Sequence, residues 1–117
     1  MEKKLRGSGD FKSVYQKGKR YDGLLMTAFV LGSGQPHHRL GITASRKLSV
    51  KAVERNRAKR LLREAFRLQM RPLSLLLRKY DWVLNARKRL LLVQIRDTIE
   101  ELERIIRKVA SDEQSLQ

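Results

Sequence analysis

The chain of 117 residues contains no cysteine. That excludes disulfides, thiolate metal sites and thiol catalysis, and it fits a reducing compartment. Aromatic residues are scarce at 6%, so a core drawn from 41% hydrophobic residues must be mainly aliphatic. Long apolar runs are missing as well. The longest, Leu24 to Leu31, is far short of the about 20 residues that a membrane-spanning helix requires. The opening residues, Met1-Glu2-Lys3-Lys4 and then Arg6-Gly7-Ser8-Gly9-Asp10, carry no apolar segment of the kind a secretory signal needs. A cytoplasmic protein with no membrane contact is therefore expected. The last shortage is of acids: 12 Asp and Glu stand against 27 Lys and Arg, a formal net charge of +15.

A positive excess of that size points to a polyanion, usually nucleic acid and less often an anionic membrane. The charge is unevenly spread. Between Arg46 and Arg71 there are ten Lys or Arg and two acids, Glu54 and Glu64. Between Asp97 and Glu113 six acids (Asp97, Glu100, Glu101, Glu103, Asp112, Glu113) meet Arg104, Arg107 and Lys108. The C-terminal segment is expected to lie off the polyanion surface. The length suits one domain over residues 1–117, with an ordered core over about 8–110 and a frayed tail over 111–117.

Ser8 or Asp10 can cap a helix from about Phe11 to Gln16, with Gly18 as its stop. Phe11 and Tyr15, four apart, share a face. Leu24 to Leu31 reads as a strand, Gly32 to Pro36 as a turn, and Leu40 to Ser45 as the return strand of that hairpin. Ser49 is a candidate N-cap for a helix reaching about Met70 before Pro72 interrupts it. The apolar piece Leu73 to Leu77 has no evident assignment. Tyr80 to Ala86 reads as a third strand, ending at the basic turn Arg87-Lys88-Arg89. Apolar residues at 92, 95, 99, 102, 106 and 109 mark a final amphipathic helix. The order is α-β-β-α-β-α, an α+β fold (an α/β sandwich) with a helix crossing between two strands.

The segment from Glu54 to Arg67 carries the strongest signal. One residue every ~100° places Ala58, Leu61, Leu62, Ala65, Phe66 and Leu68 in an arc of roughly 160°. Asn56, Lys59, Arg60, Arg63 and Arg67 fall in an opposite arc of roughly 100° that contains no acid. Solvated helix faces usually mix signs at i and i+4. Same-sign crowding destabilises an isolated helix, so a polyanion partner is the better reading than a solvated face.

At these residues the chain resembles the bacterial ribonuclease P protein family. Arg55-Asn56-Arg57, with Lys59-Arg60, Arg63 and Glu64, is similar to that family's "RNR" signature. Asp10-Phe11-Lys12-Ser13-Val14-Tyr15 and Gly18 resemble its N-terminal helix. Arg39-Leu40-Gly41-Ile42 with Arg46-Lys47, and Asp81-Trp82-Val83-Leu84 with Ala86-Arg87-Lys88, resemble two of its strands. The likeness runs from about residue 10 to about residue 110 in one consistent order. The chain departs from the pattern at Leu48-Ser49-Val50-Lys51, where many members have a glycine and one residue fewer. It departs again at residues 87–92, which are more basic and apolar than the family's usual polar, glycine-containing stretch.

The resemblance implies one sheet whose basic helix makes a left-handed crossover, against the general chirality rule. It also implies a small basic subunit that binds a large catalytic RNA and helps it remove the 5′ leader of precursor tRNA. The hydrolysis is then done by the RNA with bound Mg²⁺, and no further protein partner is required. Arg55, Asn56, Arg57, Lys59, Arg60, Arg63 and Arg67 are the candidates for the RNA subunit. Phe11, Tyr15, Phe29, Arg46, Lys47 and Lys51 are the candidates for the leader, the aromatics serving as a stacking floor and the cations holding backbone. Plain core packing is an equal reading of the aromatics, and Trp82 is expected in the core or at its boundary. His37 and His38 are expected to be exposed loop residues, and the scattered acids do not converge on a two-metal nuclease centre. No catalytic or metal-binding residue is expected in the protein. Competing readings are a ribosomal or RNA-chaperone-type domain, a protein-only nuclease and an anionic-membrane binder.

Overall fold

The computed structural model describes residues 3–5 and 7–115. Strand β1 (Lys3–Lys4) is followed by α1 (Gly7–Lys17), β2 (Lys19–Asp22), β3 (Met26–Gly32) and β4 (Arg39–Thr43). Then come α2 (Ala52–Arg67), α3 (Met70–Ser74), β5 (Tyr80–Ala86), a 3₁₀ turn at Lys88–Leu92 and α4 (Ile95–Ser115). The expected α+β architecture is present, with β1, β2 and α3 added to the expected order.

The strands form one sheet in the order β1-β4-β5-β3-β2. β5 lies between β3 and β4, antiparallel to the first and parallel to the second. The expected hairpin between the Leu24–Leu31 strand and the Leu40–Ser45 strand therefore does not form. The physical reason is the burial of β5. Tyr80 to Leu84 are all buried, and a strand apolar on both faces belongs in the middle of a sheet. The hairpin that does form joins β2 to β3, pairing Tyr21 with Ala28. β3 starts at Met26 rather than Leu24 because the Leu24, Leu25 and Met26 N–H groups donate to the Glu101 carboxylate at 2.7, 2.9 and 3.0 Å.

Two-residue periodicity divides the core. Ala28, Val30, Leu40, Trp82 and Leu84 pack with Leu62, Phe66, Leu102 and Ile106 beneath α2 and α4. Val83 packs on the other face with Leu5, Val14, Phe11 and Phe29, beneath α1. Gly41 lies beside Val83 in this face, and a Cβ there would come 2.5 Å from Phe11 Cζ. Glycine lets the Phe11 ring lie against the strand. Arg39 and Asp81 are register partners joined by paired bonds of 2.7 and 2.6 Å, with Asp81 buried.

Several local expectations shift. Helix α1 begins at Gly7, so Ser8 and Asp10 lie in its first turn rather than capping Phe11. Gly18 does end it: its N–H donates to Val14 at 2.8 Å. Ser49 is not the N-cap of α2, a position held by Lys51. Instead its hydroxyl accepts the Lys51 N–H and donates to Glu54. Pro72 does not stop a helix at Met70. It sits in the first turn of α3, where a missing N–H costs no helical bond. The unassigned Leu73–Leu77 piece buries Leu73 and Leu76. Leu92, at 84% exposure, belongs to the 3₁₀ turn rather than to α4.

Residues 111–115 are not a frayed tail. Helix α4 continues through Ser115, and the buried Glu113 accepts from Leu77 N–H, Arg78 N–H and the Tyr80 hydroxyl. Leu116 and Gln117, the rest of that expected tail, lie outside the described residues.

His37 is exposed as expected, but His38 is buried. Its Nδ1 accepts the Tyr80 N–H and the Trp82 indole N–H, both at 3.1 Å. Its Nε2 faces the Leu73 carbonyl at 3.3 Å, and a carbonyl only accepts, so Nε2 carries the proton. Burial, aided by Lys79, holds the His38 pKa below the ordinary imidazole value, while the Leu73 carbonyl and Glu113 oppose the shift. As pH falls, the unfolded chain takes up this proton before the folded one. The stabilisation is complete above about pH 6.5 and is lost as pH drops through the lower folded value. The urea midpoint should decline below about pH 6.5, and His38→Gln should flatten that decline. An unchanged pH slope in the variant would assign the acid sensitivity elsewhere.

Candidate nucleic-acid interface

Helix α2 buries Ala58, Leu62, Ala65 and Phe66 as its apolar arc requires. Leu61 is half-buried, and Leu68, just past the helix end, is 55% exposed and does not belong to the buried stripe. The cationic residues divide by what they touch. Arg55 donates to the Ser49 carbonyl at 2.9 Å, tying the loop before α2 to the helix. Arg57 donates to the Leu91 and Val93 carbonyls at 3.3 and 3.1 Å, holding the 3₁₀ turn against α2. Both are half-buried braces with remaining N–H groups. Arg67 is exposed and paired with Glu64 at 2.7 Å. Lys59, Arg60 and Arg63 form no ion pair among the described residues, and Asn56 stands exposed beside them.

That cationic row opens onto two hollows. Arg57 and Arg60 border one of about 340 Å³, with Leu61, Glu64 and Ile95. Lys59 and Arg63 border another of about 270 Å³, with Lys4, Phe11, Gly41 and Ile42. The second lies where β1 has ended. β1 pairs only with Arg39 and Leu40, so among the described residues the outer edge of β4 beyond them has no strand neighbour.

Phe11, Tyr15 and Phe29 come together on the α1 face of the sheet. Tyr15, 38% exposed, meets Phe29 edge-on with ring centroids 4.9 Å apart. Phe11 is half-buried against the Leu5–Val14–Val83 cluster, so its ring serves the core as well as the cleft wall. Arg46, Lys47 and Lys51 are exposed on the loop leaving β4. Three further residues complete this surface and were not singled out as site residues from the sequence. The Asn85 Oδ1 accepts the Tyr15 hydroxyl at 2.8 Å and the Thr43 hydroxyl at 2.6 Å, directing its amide donors away from both. The Arg20 guanidinium lies 5.6 Å from the Phe29 ring centroid. A polar Asn near the end of an apolar strand was the one available signal for Asn85.

Among the described residues the acids do not gather into a nuclease centre. Asp22 pairs with Arg20, Asp81 with Arg39, and Asp112 with Lys19, while Glu101 and Glu113 accept backbone N–H groups. Among the described residues no group of three His, Cys, Asp or Glu side chains is placed to hold a metal ion.

A basic crossover helix beside an aromatic cleft on a mixed sheet defines a protein of the RNA-binding class, with phosphate-directed cations next to stacking surfaces. The particular family follows from comparison. The Ribonuclease P family matches residues 1–110. The ribonuclease P protein component of an Exiguobacterium strain is 32% identical over 107 residues, covering 92% of this chain and 90% of its own length. That of Clostridium botulinum strain 657 is 37% identical over 86 residues, covering 74% of this chain and 75% of its own. The solved ribonuclease P protein of Thermotoga maritima superposes with a TM-score of 0.77 at 28% identity, covering 92% of this chain and 97% of that one. The chain belongs to the ribonuclease P protein family, and so to the protein components of an endoribonuclease that processes tRNA.

Two arginines in the signature should separate brace from contact. Arg57→Ala should cost about 1–2 kcal/mol of stability by freeing two backbone carbonyls. Arg60→Ala should leave the melting temperature almost unchanged. It should weaken RNA binding and flatten the slope of log affinity against log salt by about 0.9. Equal stability losses for the two variants would contradict this division.

Proposed function

We propose that the chain grips the catalytic RNA of ribonuclease P with the outward row Asn56, Lys59, Arg60, Arg63 and Arg67, in which only Lys59 is half-buried. Arg55 and Arg57 brace that row and add N–H donors at its end. The cleft of Phe11, Tyr15 and Phe29 receives the single-stranded 5′ leader of precursor tRNA, with Arg46, Lys47 and Lys51 on its backbone. Asn85 supplies amide donors beside the bases. The RNA subunit carries out the hydrolysis with Mg²⁺ that it holds itself, and the protein contributes no catalytic side chain. The setting is the cytoplasm, consistent with the cysteine-free composition. Among the described residues no helix is long and apolar enough to cross a membrane.

The carrying observation is the convergence of Lys59 and Arg63 with Phe11 and Gly41 around one hollow at the open edge of β4. A rigid body with cations on one side of that edge and aromatics on the other can hold two RNA segments side by side. This positions the scissile bond by orientation rather than by chemistry. Burial of the apolar face of α2 in the core also removes it from use as a membrane-inserting surface.

Adding the protein to the ribonuclease P RNA at low Mg²⁺ should raise the rate of precursor tRNA cleavage, and the protein alone should cleave nothing. Absence of stimulation would favour a different RNA partner; cleavage without the RNA subunit would establish a protein nuclease. Tyr15→Ala should weaken binding of leader-containing substrate about tenfold, the scale of one lost stacking contact, while leaving mature tRNA unaffected. Equal losses for both substrates would make Tyr15 a packing residue only.

A further inference from the structure

The C-terminal helix has an acidic composition, but three of its six acids, Glu101, Asp112 and Glu113, are turned to the protein, while Asp97 and Glu100 are exposed. Glu101 and Glu113 are buried on backbone N–H groups, and Asp112 holds Lys19 and Tyr21 at 2.6 Å each. Glu103 pairs with Arg107, and Asp97 accepts the Gln94 N–H at the helix start. What remains outward includes Arg104 and Lys108, one turn apart and exposed. Neither makes an ion pair among the described residues, including with Glu100 one turn before Arg104.

These two cations and Arg87 rim a cavity of about 380 Å³ against the β2–β3 turn. Arg87 is held there by a 2.9 Å bond to the Gly23 carbonyl. The two acids of the cavity are already engaged: Asp22 with Arg20 at 2.8 Å, Glu101 with the turn backbone. A second hollow, of about 410 Å³, follows edge strand β2 and shares Asp22 and Lys108 with the first. Its other acid, Asp112, is held by Lys19 and Tyr21, and Arg20, paired with Asp22, borders this hollow with its guanidinium 5.6 Å from the Phe29 ring centroid. Cations thus follow one another from the aromatic cleft, around the sheet edge, to α4, and the acids between them, Asp22 and Asp112, are paired with Arg20 and Lys19.

We propose that the 5′ leader, having crossed the Tyr15–Phe29 floor, continues around β2, and that Arg20, Lys108, Arg104 and Arg87 hold its phosphodiester backbone. This rests on the reading that the leader occupies the cleft. The occupant is single-stranded RNA because the track starts at stacking rings and continues as spaced cations without further exposed aromatics. The contacts are to phosphate, so they extend the bound length of leader without adding sequence preference.

The test uses the protein assembled with its RNA subunit and three ligands: mature tRNA, precursor tRNA with a leader too short to leave the cleft, and precursor tRNA with a long leader. The double variant Arg104→Ala/Lys108→Ala changes exposed side chains only. It should weaken the long-leader substrate several-fold and flatten its salt slope by about 1.4, from about 0.7 per single-strand phosphate contact. Binding of the short-leader substrate, mature tRNA and the RNA subunit should not change. Equal weakening of long and short leaders, weakened assembly with the RNA subunit, or no change in any binding would each overturn the proposal. Tyr15→Ala, run in parallel, separates the two readings. If it still discriminates precursor from mature tRNA while the double variant has no effect, the cleft assignment stands and only its extension fails. If Tyr15→Ala does not discriminate, the cleft assignment itself is wrong.

Discussion

The parallel pairing of β4 with β5 is the constraint on which the rest of the structure depends. Adjacent parallel strands cannot be joined by a tight turn, so the chain between Thr43 and Tyr80 must cross a face of the sheet. The crossing element is α2, and its apolar arc packs over Trp82 and Leu84 in the shared core. Anchoring that arc commits the opposite side of the helix to solvent at a fixed angle. Four or five cations that would repel one another on a free helix are thereby held in a row by core packing. The electrostatic cost of crowding them is left for an anion to offset.

The same pairing builds the cleft. Placing β5 at the sheet centre brings Val83 between Phe29 and Gly41, and Asn85 between Thr27 and Thr43. The absence of a side chain at Gly41 lets Phe11 of α1 close onto the strand, and Tyr15, one turn later, then reaches Asn85. Arg39 and Asp81 lock the register of the parallel pair through a two-bond contact with the carboxylate buried. Charge-assisted pairs with this geometry are specific as well as strong, so a one-residue slip would lose both bonds and move Val83 off the α1 face.

Helix α4 shows how composition misleads about a surface. Its acids outnumber its cations, yet Glu101, Asp112 and Glu113 are spent on fastening the helix to the β2–β3 turn, to β2 and to the segment before β5. A buried carboxylate that accepts several N–H bonds satisfies donors that no strand neighbour reaches, which is why the turn at residues 23–26 can leave the sheet without orphaned groups. The field outside the helix is set by the charges left over.

Residue periodicity alone determined a good deal: the basic helix with its apolar backing, β5 from Tyr80 to Ala86, and the shared face of Phe11 and Tyr15. These are local properties, readable because a helix repeats every 3.6 residues and a strand every two. Tertiary structure decided which strands are neighbours, because the burial of β5 on both faces outweighed the short connection between β3 and β4. Spacing already set Arg55 and Arg57 outside the cationic arc, but only the fold supplied the Ser49, Leu91 and Val93 carbonyls that they brace. It buried His38, whose two N–H donors come from residues more than forty positions away. It also turned Glu101, Asp112 and Glu113 of α4 inward. Charge, period and turn chemistry are written along the chain, but the partner of a charge is chosen by the fold, since the groups that satisfy it come from distant elements.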